Sequence, residues 1–172
     1  AITRNFKGSK PVVAAINGYC VSGGLEFALA TDIRFCAPHA QFGLQDVNWG
    51  FHPADGASIR LPLVVGMGNA MEILLSGERI DAEHALRIGL VNRIYPQVDL
   101  LDKTIEYAQM LSTRAPLAQR FAKDVVNRSI GMHMDEALRM EARSFYDLAH
   151  TEDLREGVAS FAEKRAAEFK GK

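Results

Sequence analysis

Cysteine is scarce: the 172 residues include two, Cys20 and Cys36. Two cannot build a disulfide scaffold, and they fit a reducing compartment. An excess of charge of either sign is also missing. Twenty Lys and Arg stand against 21 Asp and Glu, a formal net charge of −1. A dedicated nucleic-acid binder would carry a basic excess. No apolar run approaches the ~20 residues that a membrane-spanning helix needs. The five histidines, at 39, 52, 84, 133 and 150, show no His-Glu-x-x-His spacing and have no cysteine partners. No metal site is therefore expected. Repeats, low-complexity tracts and flexible linkers are absent as well. What remains is 48% hydrophobic and 24% charged, the balance of a globular domain able to bury roughly 70% of its unfolded surface. The sequence opens on Ala-Ile-Thr, without an initiator Met, and reaches an apolar strand by Pro11. It is expected to be the later part of a longer chain.

Pro11 to Ile16 is a continuous apolar run ending at Asn17-Gly18, the pattern of a strand buried on both faces of a parallel sheet. Gly23-Gly24 punctuate the chain before a helix over Leu25 to Thr31, with Leu25, Ala28 and Leu29 on one face. Ile33 to Ala37 predicts a second strand. Gln41 to Val47 and Gly50 to Gly56 read as strand and loop. A helix over Gly68 to Leu75 stops near Gly77, and Gly66-Met67-Gly68 reads as its start rather than as a dinucleotide fingerprint. Asp81 is a candidate N-cap for a helix ending at Gly89. Leu90 to Tyr95 predicts a strand terminated by Pro96. Asp99 is then expected to cap a helix with Leu101, Ile105 and Ala108 on one stripe. Leu117, Phe121 and Val125 mark the next helix. Met134, Leu138, Phe145 and Leu148 mark the inner side of a longer one. Thr151, followed by Glu152 and Asp153, starts a last helix carrying Leu154, Val158, Phe161 and Arg165 on one face.

The segment richest in chemistry is Asn17-Gly18-Tyr19-Cys20-Val21-Ser22-Gly23-Gly24-Leu25-Glu26. A strand feeds a glycine turn, and the turn opens a helix. The first amides of a helix lack intrahelical partners and carry partial positive charge. Glycine lets a ligand oxygen approach them, so the turn can hold an anion or a developing oxyanion. Glu26, in the first turn, is a candidate general base. On these residues alone the plainer alternative is an acid complementing the helix dipole. Asp46 follows twenty residues later, and an intervening helix and strand can return it to the glycine turn. Paired carboxylates can divide acid and base roles; the plainer alternative is a turn aspartate. Ser22 lies outside Gly-x-Ser-x-Gly, so no nucleophile elbow is indicated. Cys20 reads as a small packing residue, and Lys164-Arg165 as a solvated helix face.

Taken in order, these fragments resemble the crotonase, or enoyl-CoA hydratase/isomerase, superfamily. Lys10 to Tyr19 resembles its core strand. Ser22-Gly23-Gly24-Leu25-Glu26 with Asp32-Ile33-Arg34 resembles its signature turn and helix. Ala40 to Gly43, Gly50 to Pro53, Arg60-Leu61, Leu75-Ser76-Gly77, Ala85, Gly89-Leu90-Val91 and Phe161 to Arg165 continue the match. The resemblance implies an α/β fold: a crotonase-like spiral of β-β-α turns, N-terminally incomplete, over 1–98, and a C-terminal helical segment over 99–172 for trimerisation and coenzyme A contact. It implies an acyl-CoA lyase of enoyl-CoA hydratase type. Gly23 would donate one oxyanion N–H, with the other upstream of this sequence. Glu26 would be the first catalytic acid, and Asp46 would stand where the family has a second glutamate.

Tyr19, Gly24 and Ala54 would contact substrate, and Phe161 and Lys164 the coenzyme A nucleotide. No cofactor is implied, since coenzyme A enters as part of the substrate. The implied assembly is a homotrimer or hexamer, with no nucleic acid or membrane partner. A cytoplasmic location is expected, any targeting peptide lying upstream of Ala1. The sequence departs from the family pattern at Ser22, a common glycine, and at Pro53-Ala54-Asp55-Gly56, usually Pro-Gly-x-Gly-Gly. Two other activities stay open. One is an enoyl-CoA double-bond isomerase, which a single carboxylate can serve. The other is a non-catalytic binding module, which would have less need of both acids.

Overall fold

The computed structural model describes residues 2–5 and 8–172. The chain divides into two compact units. The first contains a short N-terminal helix, α1 (Ile2–Asn5), and everything from Val12 to Ala108. The second contains Gly8–Pro11 and Gln109–Lys172.

Two small sheets organise the first unit. Strand β1 (Val13–Ile16) runs parallel to β3 (Ile33–Cys36), which runs parallel to β6 (Arg93–Ile94). Strand β2 (Tyr19–Val21) runs parallel to β4 (Gln41–Gly43), and β4 pairs antiparallel with β5 (Arg79–Asp81). The expected two-sided burial of the first strand is not found. β1 is an edge strand, half-buried with Ala15 exposed, whereas central β3 buries Arg34, Phe35 and Cys36. Only a strand flanked on both sides loses its edge to the interior. β6 is also shorter than the expected strand. The amides of Leu90 and Val91 donate to the Ala85 carbonyl, so the turn at Gly89 (φ +78) consumes them before the strand begins.

Helix α2 (Gly23–Leu29) buries Leu25, Ala28 and Leu29, as its periodicity predicts. α3 (Ala57–Val65) escapes a pattern reading because Pro62 lies inside it. Ala57, Leu61 and Val65, four residues apart, nevertheless form a buried stripe. α4 (Met67–Ser76) ends at left-handed Gly77, and α5 (Ala82–Arg87) is capped by Asp81, whose carboxylate accepts the His84 N–H at 2.8 Å. The core joins Cys20, Leu25, Phe42, Leu44, Leu61 and Leu90. Arg34 is buried among carbonyls. Its guanidinium donates to Leu90 O, to Thr31 O and to Ala28 O in the last turn of α2, where a cation complements the dipole.

Helix α6 (Gln97–Ser112) starts two residues before Asp99, which lies in the first turn rather than at the cap. Its buried residues are Leu100 and Thr104, while Leu101 and Ile105 are exposed. The inner stripe is thus one residue out of step with the apolar pattern, because Phe35 and Ala37 draw in Leu100, and the Phe35 ring meets Tyr107 edge-on at 5.1 Å.

The second unit is helical: α7 (Pro116–Ser129), α8 (Met134–Ala149) and α9 (Glu152–Glu163). Leu117, Phe121 and Val125 are half-buried, as expected. Met134, Leu138 and Phe145 are exposed instead of inner, and Ala137, Met140, Ser144 and Leu148 are the half-buried positions of α8. On α9, Val158 and Phe161 face solvent and Leu154 is partly open. α9 starts at the Thr151 cap, which accepts the Leu154 N–H, and ends with Lys164 in the left-handed region (φ 55). The chain then turns back along α9. Asp153 accepts the amides of Lys170 and Gly171, and Glu156 accepts Arg165 Nη1 and Nη2 and the Glu168 amide.

Arg165, then the Glu168 amide, hold the Glu156 carboxyl down to about 2 from its ordinary 4.5. A group bound more tightly as the anion stabilises the folded tail above its unfolded pKa and loses that effect as pH falls through the folded one. Protection of the Glu168 amide from hydrogen exchange is therefore expected to persist at pH 5 and to fall away between pH 4.5 and 2. Protection unchanged at pH 2 would contradict the assignment.

Candidate active site

The register of β2 on β4 builds the site. Val21 pairs with Gly43, and Ser22 N–H donates to Gly43 O at 2.8 Å. The end of β4 therefore lies beside the start of α2. Ser22 is the N-cap of α2 with φ 47 and ψ −118, a region that glycine favours and a serine occupies at a cost of about 1–3 kcal/mol. The corner leaves Gly23 and Gly24, the first two residues of α2, exposed. Glu26 N–H is taken by Ser22 O at 3.0 Å. The amides of Gly23, Gly24 and Leu25 have no acceptor among the described residues. A Cβ added at Gly23 or Gly24 would meet nothing within 4 Å. The protein's own packing does not require glycine there, and both positions face open space.

Glu26 is 4% exposed. Its Oε1 accepts the Asp55 N–H at 2.7 Å and the Ala57 N–H at 3.2 Å. The carboxylate thus meets the N-terminus of α3, where backbone amides favour an anion. Oε2 accepts no hydrogen bond from the described residues.

Three residues beyond β4, Asp46 sits in a 3₁₀ helix (Gln45–Trp49), not on a strand. It is 5% exposed, and its Oδ2 is buried without a hydrogen-bond partner among the described residues. Such an atom is costly, and Thr3 Oγ1 is the other buried side-chain oxygen left without a partner among the described residues. Glu26 and Asp46 share no hydrogen bond.

The other sequence candidates spread further. Tyr19 is on β2, exposed, with the Arg79 guanidinium 4.9 Å from its ring centroid. Gln45 and Gln41 hold Arg79 in place. Ala54 is exposed at the start of the loop that reaches Glu26, and its carbonyl accepts Arg4 Nη2 at 2.6 Å. Phe161 and Lys164 lie in the second unit, Phe161 on α9 and Lys164 at its C-cap, with Phe161 88% exposed. Sequence reasoning missed the amides of Asp55 and Ala57, because backbone donors leave no mark in residue type. Gly56, at φ +108 between them, is the one local sign of a constrained turn.

Cys20 is buried, its Sγ donating to Gly24 O at 3.4 Å. Burial pushes the Cys20 thiol up to about 12 and the Cys36 thiol up to about 11. Thiolate is the reactive form, so a disulfide reagent at pH 7 is expected to label neither until the protein is unfolded. Rapid labelling of the native protein would refute this. Among the described residues no group of His, Cys, Asp and Glu could hold a metal ion, and no helix is long and apolar enough to cross a membrane.

Comparison with known proteins gives the site its context. The family model described as enoyl-CoA hydratase/isomerase matches residues 2–172. The chain is 38% identical over 159 residues to the short-chain-enoyl-CoA hydratase of Clostridium acetobutylicum, covering 92% of this chain and 61% of that protein. It is 39% identical over 175 residues to the carnitinyl-CoA dehydratase of Escherichia coli strain K12, covering 99% of this chain and 67% of that one. The crystal structure of enoyl-CoA hydratase from Bacillus anthracis superposes with a TM-score of 0.94 at 37% identity, over 96% of this chain and 64% of that one. The chain therefore spans about three fifths to two thirds of the relatives it matches. The α/β fold is that of the crotonase-type hydratases, as the resemblance implies.

Proposed function

This chain belongs to the enoyl-CoA hydratase/isomerase family, and we propose that its protein is an acyl-CoA lyase of hydratase type, adding water to a 2-enoyl-CoA thioester or removing it. The observation that carries this reading is a buried carboxylate, Glu26, in the first turn of a helix whose amides at Gly23, Gly24 and Leu25 have no acceptor among the described residues. In the addition direction, a water oxygen bonds to C3, the C2–C3 π pair shifts to join C2 to the thioester carbon, and the carbonyl π pair moves onto the thioester oxygen. The Gly23 N–H stabilises that enolate, an effect worth about 3–4 kcal/mol for a donor of this kind. The carboxylates take the proton from water and return one to C2, Glu26 through Oε2, with Asp46 sharing the water. Such acid–base help contributes roughly 10²–10⁴-fold.

In this reading Tyr19, Gly24 and Ala54 contact the acyl thioester, and Phe161 and Lys164 contact the coenzyme A nucleotide. No separate cofactor takes part. The protein works as a homotrimer or hexamer in the cytoplasm. Incubation with 2-enoyl and 3-enoyl thioesters tests the reading. Hydration of the 2-enoyl thioester supports it. Migration of the 3-enoyl double bond without hydration makes the protein an isomerase, and no turnover with no thioester binding makes it a non-catalytic module.

The glycine at 23 gives a sharper test. Because nothing crowds its Cβ position, Gly23→Ala is expected to leave stability within about 1 kcal/mol by denaturant titration. Turnover of the thioester is expected to fall about 10²-fold, since a methyl group would displace the reacting carbonyl by about an ångström. Full activity in Gly23→Ala would remove Gly23 from the site.

A further inference from the structure

The loop that holds Glu26 is itself held from behind. Arg60, one turn into α3, donates from Nη1 to Asp55 O at 3.1 Å and from Nη2 to Thr3 O at 2.5 Å. Arg4 on α1 donates from Nε to the Asp55 carboxylate at 3.0 Å and from Nη2 to Ala54 O. Gly56, between the two amides that bind Glu26, has φ +108, and a Cβ there would run into the Arg60 guanidinium. The peptide is thus clamped on its carbonyl side by arginine and on its amide side by Glu26.

We infer that Arg60 is a positioning residue for Glu26, acting through the Asp55–Ala57 backbone. By fixing where the two amides stand, it commits Oε1 to them and leaves Oε2 as the oxygen that exchanges the proton. Arg4 supports the same loop from its exposed side. Arg60 has no direct hydrogen bond to Glu26. Its effect passes through one carbonyl and two amides. The inference rests on the proposed role of Glu26, and two independent readouts separate the two claims.

The first readout needs no turnover. In Arg60→Met the hydrogen exchange of the Asp55 and Ala57 amides is expected to speed up about tenfold or more, while core amides such as those of Phe42 and Leu90, the latter donating to Ala85 O, keep their protection. Unchanged exchange at Asp55 and Ala57 overturns the inference. Should Arg60→Met fail to fold, Arg60→Lys, which keeps the charge but cannot span both carbonyls, is expected to show the same local loss.

The second readout is a double-mutant cycle on hydration of a 2-enoyl thioester. Arg60→Met is expected to lower kcat about 30-fold with KM changed less than threefold. Placed on Glu26→Gln it is expected to lower kcat less than threefold further, because a residue acting through Glu26 has little left to do once the carboxylate is gone. A full 30-fold loss in the Glu26→Gln background overturns the inference. If Glu26→Gln alone leaves kcat unchanged, the role of Glu26 fails, and the exchange result alone decides what Arg60 holds.

Discussion

Glu26→Gln is expected to lower turnover of a 2-enoyl-CoA thioester by about 10³-fold while leaving the fold in place. The side chains have nearly the same shape. The glutamine carbonyl can accept the Asp55 and Ala57 amides at the position of Oε1, which now stand 2.7 and 3.2 Å from the carboxylate. What the amide lacks is a basic oxygen at the position of Oε2. The loss is therefore that of acid–base catalysis, within the roughly 10²–10⁴-fold range for one well-placed group. Stability should change by less than about 1 kcal/mol, since both amides keep an acceptor. Steady-state kinetics beside a denaturant titration checks both halves. Activity within a few-fold of wild type would remove Glu26 from the mechanism. A large loss of stability would make its role structural.

Asp46→Asn is expected to move stability and activity in opposite directions. Oδ2 of Asp46 is buried with no hydrogen-bond partner among the described residues. A carboxyl oxygen left without a partner there costs the folded state its desolvation. A neutral amide of the same size carries less desolvation cost, so the variant should gain about 1–2 kcal/mol. Turnover should fall by roughly 10²-fold or more, because the group proposed to share the attacking water is no longer basic. A gain in stability with a loss of turnover is the mark of a group retained for chemistry. A variant that is both less stable and fully active would show that Asp46 only shapes its 3₁₀ turn.

Several parts of this arrangement were legible in the residues and others were not. The glycine turn, the helix after it and the burial of Leu25, Ala28 and Leu29 follow from local pattern. So do the caps at Asp81 and Thr151, where a short polar side chain precedes a helical run. α3 was hidden because Pro62 reads as a breaker, yet the fold accepts the missing donor and aligns Ala57, Leu61 and Val65. The buried stripe of α6 escapes the pattern for the opposite reason. Leu101 and Ile105 are as apolar as Leu100, and only the position of Phe35 decides which of them is covered. α8 and α9 carry strong apolar patterns whose Met134, Leu138, Phe145 and Phe161 remain open. Periodicity shows that a face is apolar, not what meets it. At the candidate site, Gly23, Glu26 and Asp46 could be proposed from residue order together with the family resemblance. The loop that orients Glu26 could not, since its donors are backbone amides.

The two buried thiols have a consequence for the chemistry proposed. A thioester transfers its acyl group readily to another sulfur when that sulfur is ionised. Cys20 lies against the Gly24 carbonyl, beside the turn assigned to the thioester. With its pKa pushed up to about 12, only about one molecule in 10⁵ carries that thiolate at pH 7. Cys36, up to about 11, is only about tenfold more ionised. For the proposed acyl-CoA substrate, burying the sulfur would keep the protein from becoming an acyl acceptor, so that the acyl group would stay on coenzyme A while only its double bond reacts.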